Sequence, residues 1–306
     1  MSRRFRADAS LVLATILWGA TFVVVKDALD HASVCAFLAL RFALATVLMA
    51  LIYRRAVRQL TRSEVRAGAL IGALLFAGYV FQTTGLLYTT PSKAAFITGF
   101  GVVLVPILST VFWRRRINRW VWAGAAAALV GLYLLTVPRE GFAHLNLGDL
   151  LVFSCAVVFA LHIIVVGRYT GRHPVGALSF LQVATTGALT SLALPLLAVT
   201  GLEPLRIDWS PSLLLAVAIT AVFATAIAFS VQVWAQQYTT PTHTAIIFTL
   251  EPVFAALTSY LVLSERLGAR ALSGAALILA GILLAELKGP AQAAADSPGP
   301  VSDSSV

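Results

Sequence analysis

Charge is what this sequence has least of. Asp, Glu, Lys and Arg make up 11% of its 306 residues, against roughly 25% in an ordinary soluble domain. So little charge cannot cover the surface of a soluble enzyme of this length. Long polar stretches are also missing, which excludes disorder for most of the chain, because disordered segments are poor in apolar residues. Cys35 and Cys155 are the only two cysteines. They lie far apart in apolar surroundings, so neither a disulfide framework nor a metal site is indicated. No His-Glu-x-x-His, glycine-rich phosphate loop or Walker sequence occurs. The chain is therefore not expected to be an enzyme, and no cofactor or metal is expected.

What is present is hydrophobic: 59% of residues, with a mean hydropathy of +0.89. A bilayer-spanning helix needs about 20 mostly apolar residues. Ten such runs can be read, at 9–26, 34–53, 66–88, 91–113, 118–137, 147–167, 175–199, 211–235, 241–263 and 269–287. The fold class predicted is an all-α integral membrane protein of ten transmembrane helices, leaving no room for a separate soluble domain. Residues 1–8 form a short N-terminus, and 288–306, rich in Ala, Ser, Pro and Gly, read as a disordered tail. The first run has no small-residue cleavage site after it and is expected to be retained as a span.

A net charge of +9 would suggest nucleic acid as a partner for a soluble protein. Here the arginines cluster between apolar runs, so they read as membrane orientation and no nucleic-acid partner is expected. Assigning alternate loops to the two sides places fifteen Lys or Arg with the N-terminus and six opposite, with Arg41 left inside a span. The positive-inside rule then puts both termini in the cytoplasm.

The chain repeats itself. Tyr88-Thr89-Thr90-Pro91 recurs as Tyr238-Thr239-Thr240-Pro241, an offset of 150, and from 82 to 136 there are 16 identities in 55 positions at that offset. Nearer the N-terminus the offset becomes about 141, where Trp18 meets Phe159, Thr21 meets His162 and Arg41 meets Gln182. Residues 9–137 and 147–287 thus form two halves of five spans each. An odd number per half makes the second enter the membrane from the opposite side. Such inverted repeats mark transporters with a site near the midplane. Thr90 and Thr240 are expected N-caps ahead of Pro91 and Pro241. Lys93 and His243 then occupy equivalent first-turn positions, where a cation opposes the helix dipole. Either water and headgroups offset that cost, or an anionic partner such as a substrate carboxylate does.

Leu17-Trp18-Gly19-Ala20-Thr21-Phe22 resembles the opening motif of EamA-type transporters of the drug/metabolite transporter superfamily. Leu250-Glu251-Pro252-Val253-Phe254-Ala255-Ala256-Leu257, running to Ser264-Glu265-Arg266-Leu267, resembles their ninth-span motif. The resemblance covers about residues 9 to 287. It implies ten helices, cytoplasmic termini and export of amino acids or other metabolites from a bacterial inner membrane. The abundance of aromatics is similar to that of the superfamily's aromatic-amino-acid exporters. One departure is that the first half has Gly101-Val102 where the second has Glu251-Pro252.

Several residues are candidates for the site. Glu251 lies about 14 Å into its span at 1.5 Å per residue; it either takes up a proton, binds a substrate ammonium or holds a kink at Pro252. Arg41 either pairs with Glu251, binds a carboxylate or snorkels outward. His162, with Phe159, mirrors Thr21 with Trp18, and is either a satisfied core residue or a cavity group able to titrate. Tyr79, Gln82 and Thr83 share a face of the third span, and Gln232 repeats Gln82; both amides either read a polar substrate or bond between helices. Phe96 and Phe100 follow Lys93 at helical spacing, as packing or as a wall for planar substrates. The stripes Gly124–Gly131 and Gly274–Gly281 let helices approach closely, within a monomer or in a homodimer. Pro106 and Pro252 are candidate hinges.

The reading is a secondary transporter, its partners a small-molecule substrate, foremost an amino acid, and membrane lipid. It works by alternating access between the halves. A passive channel of the same fold is the alternative, and an intramembrane enzyme or receptor the remote third.

Overall fold

The computed structural model describes residues 2–89, 91–114, 116–137, 141, 146–201, 203–263 and 268–288. The expected cap Thr90, the Ser264–Leu267 part of the second motif and the tail from 289 lie outside these residues. Among the described residues the chain is helical, apart from loops and one isolated antiparallel bridge between Ala32 and Ile207. In order come α1 (Arg3–His31), α2 (Val34–Ile52), the short α3 (Arg54–Arg58), α4 (Arg62–Leu86), α5 (Pro91–Thr98), α6 (Gly101–Trp113) and α7 (Arg119–Thr136). After them come α8 (Leu147–Tyr169), α9 (Val175–Thr200), α10 (Pro211–Ile219), a π-helical stretch Thr220–Ile227, α11 (Ala228–Ala235), α12 (Pro241–Phe248), α13 (Glu251–Leu263) and α14 (Ala269–Lys288).

Eight stretches among the described residues are long and apolar enough to cross a membrane. The runs expected at 9–26 and 241–263 are also helical, the first within α1, the second as α12 and α13. Helix starts follow the local code. Thr61 and Glu64 form a reciprocal capping box on α4, as do Asn146 and Asp149 on α8. Each satisfies two backbone N–H groups that no helical carbonyl reaches. Thr240 accepts from the His243 N–H at 3.2 Å, with Pro241 at the first helical position. The outer surface stays apolar, with Leu192, Leu196, Val199, Leu283 and Leu287 exposed, as lipid contact requires.

Close helix packing rests on glycine. A Cβ added at Gly19 on α1 would sit 2.7 Å from the Glu251 carbonyl oxygen on α13. Gly124 and Gly131 on α7 meet Gly281 and Gly274 on α14 in the same way, so these stripes are spent within the monomer. Around these contacts, Phe37, Phe42, Leu213 and Phe229 join α1, α2, α9, α10 and α11 in one apolar cluster.

Two of the expected spans are not continuous. The run 91–113 breaks between Thr98 and Gly101, and the run 241–263 between Phe248 and Glu251. At both breaks the helix tightens to a three-residue turn, Phe100 N–H to Ile97 carbonyl at 3.1 Å and Leu250 N–H to Ile247 carbonyl at 3.0 Å. The breaks lie 150 residues apart, the repeat offset. They also correct the reading of Pro252. It is the second residue of α13, where a missing N–H costs no helical bond, and the break precedes it. Pro106 does lie inside α6.

Candidate functional site

The two breaks border a central cavity of about 220 Å³. Trp18 and Thr21 of α1, Arg41 of α2, Tyr79, Gln82 and Thr83 of α4, and Phe159 and His162 of α8 line it. Gln232 of α11 and Glu251 and Pro252 of α13 complete the wall, with Thr98, Gly99, Gly101 and Thr249 from the breaks themselves. Residues read separately from the sequence are thus brought together. Lys93, Phe96, Phe100, Pro106 and His243 are not part of the wall. Phe96 and Phe100 pack edge to face on each other at 5.1 Å, and Phe96 does so on Tyr133 of α7.

Arg41 is held by the π-helical stretch. Its Nε donates to Thr225 Oγ1 at 2.7 Å, and its Nη2 donates to the Ala224 carbonyl and the Tyr79 hydroxyl, each at 3.2 Å. Trp18 Nε1 donates to the same Ala224 carbonyl at 2.9 Å. A π turn shifts carbonyls out of the ordinary i−4 register, and here one is turned to a buried cation. The guanidinium also lies over the Tyr79 ring at 5.1 Å, a favourable cation–π position. The pairing of Arg41 with Glu251 is therefore not formed; neutral acceptors and a ring surround the cation instead. Nη1 makes no hydrogen bond to the described residues, nor does the Glu251 side chain.

Aromatic rings enclose these two groups. Trp18 packs on Phe229 and Phe248 at 5.5 and 5.0 Å, and Tyr79 packs on Phe159 at 5.7 Å. His162 Nε2 meets Gln182 Oε1 at 3.0 Å, leaving Gln182 Nε2 buried without a partner; Thr98 Oγ1 and Gln232 Oε1 are left likewise. Gln232 Nε2 donates to Gln236 at 3.2 Å. Buried polar atoms are nearly always paired in native proteins, so these three on or behind the cavity wall are exceptions.

The first-turn residues Lys93 and His243 lie beyond the cavity. Lys93 forms an ion pair with Asp149, so its anionic partner belongs to the chain itself. Asp149 also accepts from Thr89 Oγ1 at 2.7 Å. His243 Nε2 lies 2.9 Å from Glu286 Oε2, and Arg4 Nη2 lies 3.0 Å from that same oxygen. Asp149, Glu286, Asp8 and Thr225 escaped the sequence reading. Asp8 and Asp149 lie 141 apart, the early repeat offset, which could have exposed them. Thr225 sits in an apolar run with nothing to set it apart.

Residues 5–137 and again 146–287 match the EamA-like transporter family. An uncharacterized transporter of Archaeoglobus fulgidus is 35% identical over 286 residues, covering 94% of this chain and 87% of the relative. The uncharacterized transporter YyaM of Bacillus subtilis is 29% identical over 161 residues, 48% of this chain and 51% of the relative. A solved crystal structure superposes with a TM-score of 0.76 at 20% identity, over 92% of this chain and 97% of that one; that likeness concerns the fold alone.

Proposed function

The chain belongs to the EamA-like transporter family, a multi-pass membrane transporter, and on that premise we propose that it exports amino acids, aromatic ones included, by alternating access. The carrying observation is one cation and one carboxyl group on a wall otherwise built of rings and amides. Arg41 Nη1, unbonded among the described residues, takes the carboxylate, and Glu251, with no hydrogen-bond partner among those residues, receives the ammonium. Trp18, Phe159, Phe229 and Phe248 offer rings to an apolar or planar side chain, and Gln82, Gln232 and His162 offer amide and imidazole atoms to polar ones. Broken helices at a central site are a recurrent transporter device.

Ten spans in two inverted halves are part of this reading. Two observations support them: the family match occurs twice, and the helix breaks recur at the repeat offset. The positive-inside bias supports a reading with both termini in the cytoplasm, and the membrane in that reading is a bacterial inner membrane. The deciding experiment is counterflow in proteoliposomes with a panel of amino acids. Saturable exchange, weakened by Arg41→Gln and Glu251→Gln, is expected. Flux that never saturates means a passive channel, and no flux under any gradient rejects the proposal.

A further inference from the structure

At the two ends of the bundle the same three positions meet. Thr89, Lys93 and Asp149 form one set; adding 150 to the first two gives Thr239 and His243, and subtracting 141 from the third gives Asp8, as the other. α1 runs about 34 Å from Asp8 to His31 at 1.5 Å per residue. His31 contacts Asp208, just before the start of α10, and Asp149 lies in the first turn of α8, which the alternation of the helices puts at that same end. The sets therefore close opposite ends of the path.

They are not in the same state. In the first, Lys93 pairs with Asp149, Thr89 donates to the same carboxylate and the Asn146 N–H does too. Both partners are buried, and the pair is fully made. In the second, histidine replaces lysine and the set is half made. Among the described residues no hydrogen bond of ordinary length reaches the buried Thr239 Oγ1 or Asp8 Oδ1, although the two side chains are near neighbours. His243 is drawn instead to Glu286 of α14, and Arg4 of α1 touches His243, Glu286 and, at 3.8 Å, Asp8. Among the described residues, hydrogen bonds and ion pairs to the His243 side chain come only from Arg4 and Glu286.

We propose that His243, with Asp8, Glu286 and Arg4, is a proton-binding site that latches the end of the path where the termini lie. With its ring neutral, His243 cannot do for Asp8 what Lys93 does for Asp149. A proton taken from solution gives it that charge, and Asp8 Oδ1 and Thr239 Oγ1 have unused capacity to close around it, drawing α1 onto α12. Burial, and then Glu286 nearby, push the Asp8 carboxyl above its ordinary range, so the cluster holds a proton more readily than a solvated carboxylate would. The inference rests on the transporter reading for its purpose, because alternating access needs each end to close in turn.

The test reads closure without a substrate. Ala95→Cys places a thiol on the cavity wall, and the two native cysteines, both buried, set the blank. A membrane-impermeant maleimide is added from the terminal side in oriented vesicles. Labelling should slow about fivefold on going from about pH 8 to about pH 5.5. His243→Lys should be slow at both pH values and His243→Gln fast at both. Lys93→His should bring pH sensitivity to the opposite face, a second reading should His243→Gln fail to fold. A wild-type rate independent of pH, or a His243→Lys profile that follows the wild type, overturns the proposal. Labelling that responds to pH while no amino acid crosses the membrane leaves the proton site standing and removes the transport reading. Transport with labelling blind to pH does the reverse.

Discussion

Gly131 and Gly274 stand backbone to backbone across α7 and α14. A Cβ on Gly131 would lie 2.6 Å from the Gly274 carbonyl oxygen, and one on Gly274 would lie 2.5 Å from that of Gly131. Gly124 and Gly281 oppose each other in the same way. Because 274 is 124 plus 150 and 281 is 131 plus 150, exchanging the halves carries one contact onto the other, as a two-fold axis through this helix pair would. Ala at either Gly131 or Gly274 forces the helices apart and should cost about 1–3 kcal/mol in thermal unfolding in detergent. The double substitution should cost less than the sum, since one separation serves both. Additive losses would mean that the two contacts are independent.

Much of this was legible in advance for a physical reason. A bilayer demands long apolar runs, so helix positions show in composition, and the repeat offset picked out equivalent residues, Trp18 with Phe159 and Thr21 with His162, that line one cavity. Trp18, Arg41, Tyr79, Gln82, His162 and Glu251 stood out because polar or bulky groups are rare in such runs. The helix breaks were hidden, since Gly99 to Gly101 and Thr249 to Leu250 are as apolar as their neighbours. So was the choice of partners: Arg41 looked like a mate for Glu251, and only the π-helical register shows why the Ala224 carbonyl serves instead. Lys93 and His243 looked alike in position and turned out to differ in their counter-charges.

The Lys93–Asp149 pair is buried on both sides. Removing one member strands the other charge, which typically costs about 3–5 kcal/mol, whereas replacing both by apolar groups is often neutral. Lys93→Met should therefore lower thermal stability sharply, and Lys93→Met with Asp149→Leu should recover most of the loss. A double variant worse than the single one would show that the pair contributes more than mutual neutralisation.

Thr225 holds the guanidinium of Arg41 from inside the π-helical stretch. Thr225→Val keeps the shape and removes the acceptor, leaving Nε buried and unsatisfied. A hydrogen bond to a charged group is worth about 1.5–3 kcal/mol. Stability should fall by about that amount, and exchange should weaken through misplacement of Nη1. A full recovery in Thr225→Ser, which restores the oxygen, separates the hydrogen bond from packing; no recovery would assign the loss to packing.

Asp8 gives a pH dependence with a definite sign. Its carboxyl is raised by burial first, so the folded state favours the protonated form. That contribution is complete below the ordinary carboxylate value and is lost as pH rises through the raised folded value. Asp8→Asn carries no such titration. The melting temperature of Asp8→Asn relative to wild type should rise from about pH 4 to about pH 8. A difference that stays level, or grows toward acid, would contradict the raised value.

On the proposed function, Arg41 and Glu251 divide the recognition of a zwitterion between them, and the division can be read with truncated ligands. Losing one charge-assisted hydrogen bond costs about 1.5–3 kcal/mol, or roughly 10- to 150-fold in affinity. Glu251→Gln should weaken an aromatic amino acid by that factor yet leave its deaminated carboxylic acid unchanged, because the acid has no ammonium to lose. Arg41→Gln should weaken both of these and spare the decarboxylated amine. Competition in the counterflow assay measures all three ligands on each protein. If both variants weaken all three ligands equally, the two residues shape the cavity without reading charge. Only the crossed pattern assigns the ammonium to Glu251 and the carboxylate to Arg41.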